Sequence, residues 1–104
     1  MKQPMPRHAP SSIFRAGVQT ALKHLADEVA PDGVTVNAVA PATIITPTFS
    51  QLHDIEARVD AVPLKRPGRA EELGGTVAFL ASQRAGFLTG QVLQFDGGMT
   101  RALV

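Results

Sequence analysis

The run Val34 to Ala40, "VTVNAVA", constrains the fold more than any other part of this chain. It carries no charge, it is rich in β-branched and small side chains, and its apolar positions fall on both faces of an extended segment. A strand of that kind is covered on both sides, the condition of a parallel sheet flanked by helices rather than of an antiparallel sheet with one wet face. Pro41, which has no N–H to donate, ends the run.

The flanking segments supply the helices such a strand needs. Upstream, Phe14, Val18, Ala21, Leu22, Leu25 and Val29 recur at spacings of three and four, predicting an amphipathic helix over about 12–30. Ser12 can cap its start, and Pro31-Asp32-Gly33 supplies its stop. Residues 1–11, with three prolines, read as irregular. Downstream, "PATIITPTF" reads as a loop and 47–62 as a polar, partly helical lid. "PLKRPGRAEEL" reads as a turn-rich link whose Glu71 and Glu72 suit the positive end of a helix over about 70–82, with Leu73, Val77 and Leu80 on one side. A short strand over about 92–95 and a glycine-rich exit close the chain.

Helix, strand, helix, strand in that order implies a βαβ crossover and a parallel pair. Two parallel strands need neighbours along at least one edge. The predicted class is therefore α/β, one flank of a larger doubly wound sheet.

Composition narrows the function classes. At 104 residues the chain is one domain or part of one. Ten Lys and Arg against nine Asp and Glu leave a formal charge of +1, too balanced for a nucleic-acid surface. No apolar run approaches the length of a transmembrane helix, and no apolar stretch follows Lys2 as in a signal peptide. The lack of cysteine excludes disulfides and thiolate zinc sites and fits a cytoplasmic protein. His8, His24 and His53 have no metal-ligand spacing, so no metal is expected.

Four blocks, in order, resemble the C-terminal half of the short-chain dehydrogenase/reductase family: "RAGVQTALKHLADEVAPDGVTVNAVAP", "PATIITP", "PLKRPGRAEELGGTVAFLAS" and "FLTGQVLQFDGG". The resemblance implies the C-terminal flank of a Rossmann-like doubly wound parallel sheet, lacking the N-terminal nucleotide-binding half. It also implies NAD or NADP as cofactor and a small-molecule carbonyl or alcohol as substrate. The family's glycine-rich phosphate turn has no counterpart here. Gly74-Gly75 lies inside a predicted helix, and Gly97-Gly98 follows a strand with no helix after it, reading as an exit turn rather than a phosphate cradle.

By position, Ser11 falls at the family's catalytic tyrosine and Arg15 at its lysine, and the chain has no tyrosine. An alkyl hydroxyl is a far weaker acid than a phenol, and a guanidinium stays protonated, so the pair can position a carbonyl but trades protons poorly. The plainer reading makes Ser11 and Ser12 helix caps and Arg15 a solvated side chain. "PATIITP" resembles the family's loop over the nicotinamide. Carried over by position, Pro41 and Ala42 line the nicotinamide, Ile44 bonds its carboxamide through backbone, and Thr46 reaches the carboxamide or phosphates. Ala42 replaces a glycine and would be strained if its φ were positive. Asn37 is expected to pin the exit of the strand.

Two functional readings follow. One is an NAD(P)-dependent oxidoreductase present as a half that is weak or inactive alone; without the tyrosine, whether it is an enzyme stays open. The other is a non-catalytic oligomerisation or partner-binding module derived from that family, pairing with itself or with a full-length relative. Phe14, Leu22 and Leu25 are expected to be uncovered in a lone half-domain.

Overall fold

The structure, a computed structural model, describes residues 9–46 and 55–101. Helix α1 (Ala9–Val29) runs into a 3-10 turn (Ala30–Asp32) and strand β1 (Ala38–Pro41). A two-residue strand β2 (Ile44–Ile45), a short helix α2 (Ile55–Asp60) and a two-residue strand β3 (Gly68–Arg69) follow. Helix α3 (Ala70–Leu80), a 3-10 turn (Gln83–Ala85) and strand β4 (Val92–Phe95) complete the order. Residues 1–8 of the expected irregular N-terminus and 47–54 of the expected lid lie outside the described residues, while 9–11 are helical instead of irregular.

β1 and β4 pair in parallel, Ala38 opposite Val92 through Pro41 opposite Phe95. A helix between two parallel neighbours is the βαβ connection that the order of elements implied. β1 is shorter than its apolar run. Val34 to Asn37 lie outside the ladder, and side chains do part of the pairing there. The Val36 N–H donates to the Thr89 hydroxyl at 3.0 Å, while the Val36 carbonyl accepts from the Gly90 N–H at 2.7 Å. Asn37 bridges to Leu88 and Gln91. It thus pins the start of the strand, not the exit.

α1 begins at Ala9, three residues ahead of the expected Ser12. Pro10 is tolerated because the first-turn N–H groups have no intrahelical partner in any case. Ser11 and Ser12 therefore lie inside the helix rather than at its N-cap position. The stop is as the residues suggest: Pro31 sits in the first positions of the 3-10 turn, and Gly33 takes a left-handed φ of 77° to close it, its N–H donating to the Ala30 carbonyl.

Burial along α1 departs from the apolar stripe. The covered row is Gln19, Leu22, Ala26 and Val29, of which Ala26 is buried, whereas Phe14 (76% exposed), Val18 and Leu25 stay open. A two-stranded sheet is too narrow to cover a full apolar stripe, so the helix overhangs it. Leu22 is half-buried, unlike Phe14 and Leu25. β1 and β4 are likewise only half-buried, since β4 is the one described neighbour of β1. Buried apolar residues among those described are Ala26, Val62 and Ala85, a small core.

Candidate functional site

The C-terminal end of β1 opens into the loop that carries most of the candidate residues. The Ala42 N–H extends the ladder, donating to the Phe95 carbonyl at 3.1 Å. The left-handed conformation then falls one residue later than expected, at Thr43 (φ 57°), so Ala42 escapes the strain considered for it. A β-branched residue in that region is uncommon, and strained backbone gathers at ligand clamps and switches. Thr43 is held from two sides: its carbonyl accepts the Gly68 N–H at 2.9 Å, and its hydroxyl lies 3.7 Å from the Met99 sulfur.

The turn fixes a small second ladder. Ile44 pairs with Gly68 and Ile45 with Arg69, in parallel. A side chain at position 68 would place its Cβ 2.6 Å from the Ile44 Cδ1, so glycine lets the two segments touch. The sequence reads both segments as loops, because a two-residue pairing leaves no periodicity.

The link into α3 is anchored by charge. The Arg66 guanidinium forks onto the Glu72 carboxylate at 2.8 and 2.9 Å. The same carboxylate accepts the Arg69 N–H at 3.1 Å, satisfying an orphan donor at the helix start. The bond from Arg66, then that from the Arg69 backbone, hold the Glu72 pKa at about 2. At the other end of the site Asp96 closes the exit turn. It accepts the Gly98 and Thr100 N–H groups at 2.9 Å each, and the Thr100 hydroxyl. Burial opposes its charge, but these bonds outweigh it and keep the carboxyl below the usual range. The Asp-Gly-Gly segment thus spends its donors inward, as an exit turn does.

The candidate residues separate into two places. Arg15 and Pro41 line one groove of about 400 Å³, with Phe14, Val18 and the Ala38–Ala40 stretch. Ala42 and Ile44 line a different cavity of about 260 Å³, walled by Arg66, Glu72, Gln94 and Asp96. Thr46 follows β2 and is exposed. Ser11 lies one helical turn before Arg15 in α1, and its side chain lies outside the described residues. Gln94 was not singled out from sequence; its amide nitrogen is buried without a hydrogen-bond partner. The one available signal was a lone amide inside the otherwise apolar "VLQF". Among the described residues no cluster of His, Cys, Asp and Glu could hold a metal ion, and no helix is long and apolar enough to cross a membrane.

The chain resembles known proteins over most of its length. The family model described as Enoyl-(Acyl carrier protein) reductase matches residues 1–100. Nodulation protein G of Azospirillum brasilense is 48% identical over 90 residues, covering 85% of this chain and 37% of that protein. A 3-oxoacyl-[acyl-carrier-protein] reductase FabG of Staphylococcus epidermidis is 42% identical over 87 residues, covering 82% and 36%. The crystal structure of YwfH, an NADPH-dependent reductase involved in bacilysin biosynthesis, superposes with a TM-score of 0.89 at 32% identity, over 98% of this chain and 44% of that one. The chain thus spans little more than a third of the curated relatives it matches. With a parallel β1–β4 pair, a strained loop at the end of β1 and these likenesses over most of its length, the chain belongs to the short-chain dehydrogenase/reductase family.

Proposed function

We propose that the chain is the C-terminal half of an NAD(P)-dependent oxidoreductase acting on a small carbonyl or alcohol, weak or inactive on its own. The observation that carries this reading is the loop Pro41–Thr46, which leaves the carboxyl end of a parallel strand, where open α/β sheets bind ligands. YwfH is described as NADPH-dependent, which supports the same cofactor class here. The cysteine-free sequence supports a cytoplasmic setting.

The residues fit one end of a dinucleotide. A groove that is apolar apart from Arg15 and Gln19 suits a nicotinamide and its ribose. The sequence has no glycine-rich turn for the pyrophosphate. The nicotinamide, when bound, supplies the hydride chemistry. Arg15 would bond a ribose hydroxyl or steady a carbonyl oxygen while staying protonated. Ser11, one turn away, would accept or donate a hydrogen bond without becoming a competent acid. Positioning without proton transfer is the physical reason for low activity.

The deciding experiment is a fluorescence titration of NADH and NADPH against the 104-residue chain, with Arg15→Ala alongside. Saturable micromolar binding that weakens in the variant is the expected result for a cofactor half-site. No binding up to millimolar cofactor would sink the reading and leave the non-catalytic assembly module, which the exposed Phe14 and Val18 favour.

A further inference from the structure

The exit turn after β4 touches two other segments of the site, and Asp96 organises that turn. Its carboxylate accepts the N–H groups of Gly98 and Thr100 at 2.9 Å each and the Thr100 hydroxyl. Its carbonyl accepts the Met99 N–H at 3.3 Å. The backbone of Met99 is therefore held on both sides. Its sulfur accepts the Thr43 hydroxyl at 3.7 Å, across 56 residues of sequence.

A thioether is a weak acceptor on an unbranched side chain with three rotatable bonds. Such a group keeps a partner in place only where its own backbone is immobile, and Asp96 supplies that condition. The partner is the left-handed residue of the loop, Thr43 at φ 57°. A β-branched residue stays in that region only when its surroundings impose it. The Thr43 carbonyl accepts the Gly68 N–H at 2.9 Å, where the pairing of Ile44 with Gly68 begins. Thr43 is thus tied to the link before α3 by its backbone and to the exit turn by its side chain.

The same turn grips the segment that leaves α2. The Gly97 carbonyl accepts the Leu64 N–H at 3.2 Å, and a Cβ at Gly98 would stand 3.3 Å from the Pro63 ring. Lys65 comes next, at φ 58°, its N–H donating to the Val62 carbonyl at 2.8 Å. Thr43 and Lys65 are the two non-glycine residues of positive φ among those described. One bonds the exit turn and the other adjoins a residue that does.

We propose that Asp96 is a positioning residue for the loop Pro41–Thr46. By fixing Met99 and Gly97 it sets where Thr43 turns and how the loop stands against the segment after α2. Pro41 and Ala42 are carried by the β1–β4 ladder, since the Ala42 N–H donates to the Phe95 carbonyl. Ile44 and Thr46 lie beyond the turn, and their placement depends on it. The effect on NADPH rests on this being the cofactor loop, as proposed above. Every bond in the relay joins described residues.

The test joins amide exchange to a fluorescence titration of NADPH, on the 104-residue chain and its variants. Asp96→Asn leaves one acceptor oxygen where two are used, and Met99→Leu keeps the volume while removing the sulfur. Thr43→Val removes the hydroxyl that meets it. Asn37→Ala, at the far end of the β1–β4 pair, is the control for plain loss of stability. The expected result is exchange at the Gly68 amide that rises more than at Leu93 in Asp96→Asn and Met99→Leu. NADPH binding should weaken on the order of tenfold in Asp96→Asn. Thr43→Val combined with Met99→Leu should weaken it no more than either alone, because both remove one bond. Asn37→Ala should leave the ratio of Gly68 to Leu93 exchange and the NADPH affinity unchanged.

Gly68 exchange that rises no more than that of Leu93 in Asp96→Asn and Met99→Leu overturns the proposal, whether or not cofactor binds. Saturable NADPH binding that neither variant weakens also overturns it and leaves the cofactor reading intact. A wild type that binds no NADPH up to millimolar concentration removes the cofactor reading alone, and a selective rise at Gly68 then still assigns the placing of the loop to Asp96. Should Asp96→Asn fail to fold, Met99→Leu decides by the same two readings.

Discussion

The side chain of Asn37 bridges the approach to β1 and the approach to β4. Its Nδ2 donates to the Leu88 carbonyl at 2.9 Å, and its Oδ1 accepts the Gln91 N–H at 3.1 Å. The amide does sideways what another residue of ladder would do, one step before Ala38 meets Val92. Lys23 reinforces the same corner, reaching the Gly90 carbonyl at 3.2 Å from α1.

Asn37→Ala should therefore cost about 1–2 kcal/mol, since two backbone groups lose partners at a half-buried position. The loss should appear as a lower urea midpoint with an unchanged slope. Amide exchange at Gln91 should speed up more than that at Leu93, in the middle of the ladder. Equal acceleration at both would mean the bridge has no local role.

Gly97 offers a separate test of the exit turn. It sits at φ 63°, and a Cβ there would stand 2.5 Å from the Cγ1 of Val62, one of the few buried side chains. Its carbonyl also accepts the Leu64 N–H at 3.2 Å, so the turn cannot shift freely. Gly97→Ala should destabilise by about 1–3 kcal/mol through conformation and contact together. Asn tolerates left-handed backbone better than Ala but carries the same Cβ. If contact with Val62 dominates, Gly97→Asn is no better than Gly97→Ala in thermal denaturation. A clear recovery with Asn would assign the cost to backbone conformation alone.

What could be read from the residues was what repeats or punctuates. The α1 periodicity, the Pro31-Asp32-Gly33 stop and the apolar run around β1 each express a local rule, and the parallel pairing follows from their order. What could not be read depends on the neighbours. Phe14 and Leu22 occupy the same apolar stripe, yet one is exposed and the other half-buried, because the width of the sheet decides which side of the helix is covered. The shift of the left-handed residue from Ala42 to Thr43 is set by the Gly68 and Met99 contacts, far along the chain. Gln94, whose amide nitrogen has no partner, lines a cavity assembled from four separate segments. Of the site, the likeness of "PATIITP" pointed to the loop, but not to its division, with Pro41 beside Arg15 and Ala42 and Ile44 turned to another cavity.

The Arg66–Glu72 fork gives a pH dependence with a definite sign. The Glu72 pKa is lowered from the ordinary 4.5 to about 2 by the Arg66 bond and by the Arg69 N–H. A carboxylate depressed in the fold adds stability that is fully present above its unfolded value and is lost as pH falls through its folded one. The contribution of Glu72 should therefore be complete above about pH 4.5 and fade down to about pH 2. Both side chains reach solvent, so screening keeps the effect modest, and it should shrink further in high salt. Other carboxylates titrate in the same window, and the quantity to follow is the difference in melting temperature between wild type and Glu72→Gln. That difference should be largest near neutral pH and shrink across the window, with Arg66→Gln following the same course. A difference that stays constant with pH would mean that Glu72 caps α3 through its geometry, and that its charge contributes nothing to the link between the loop and the helix.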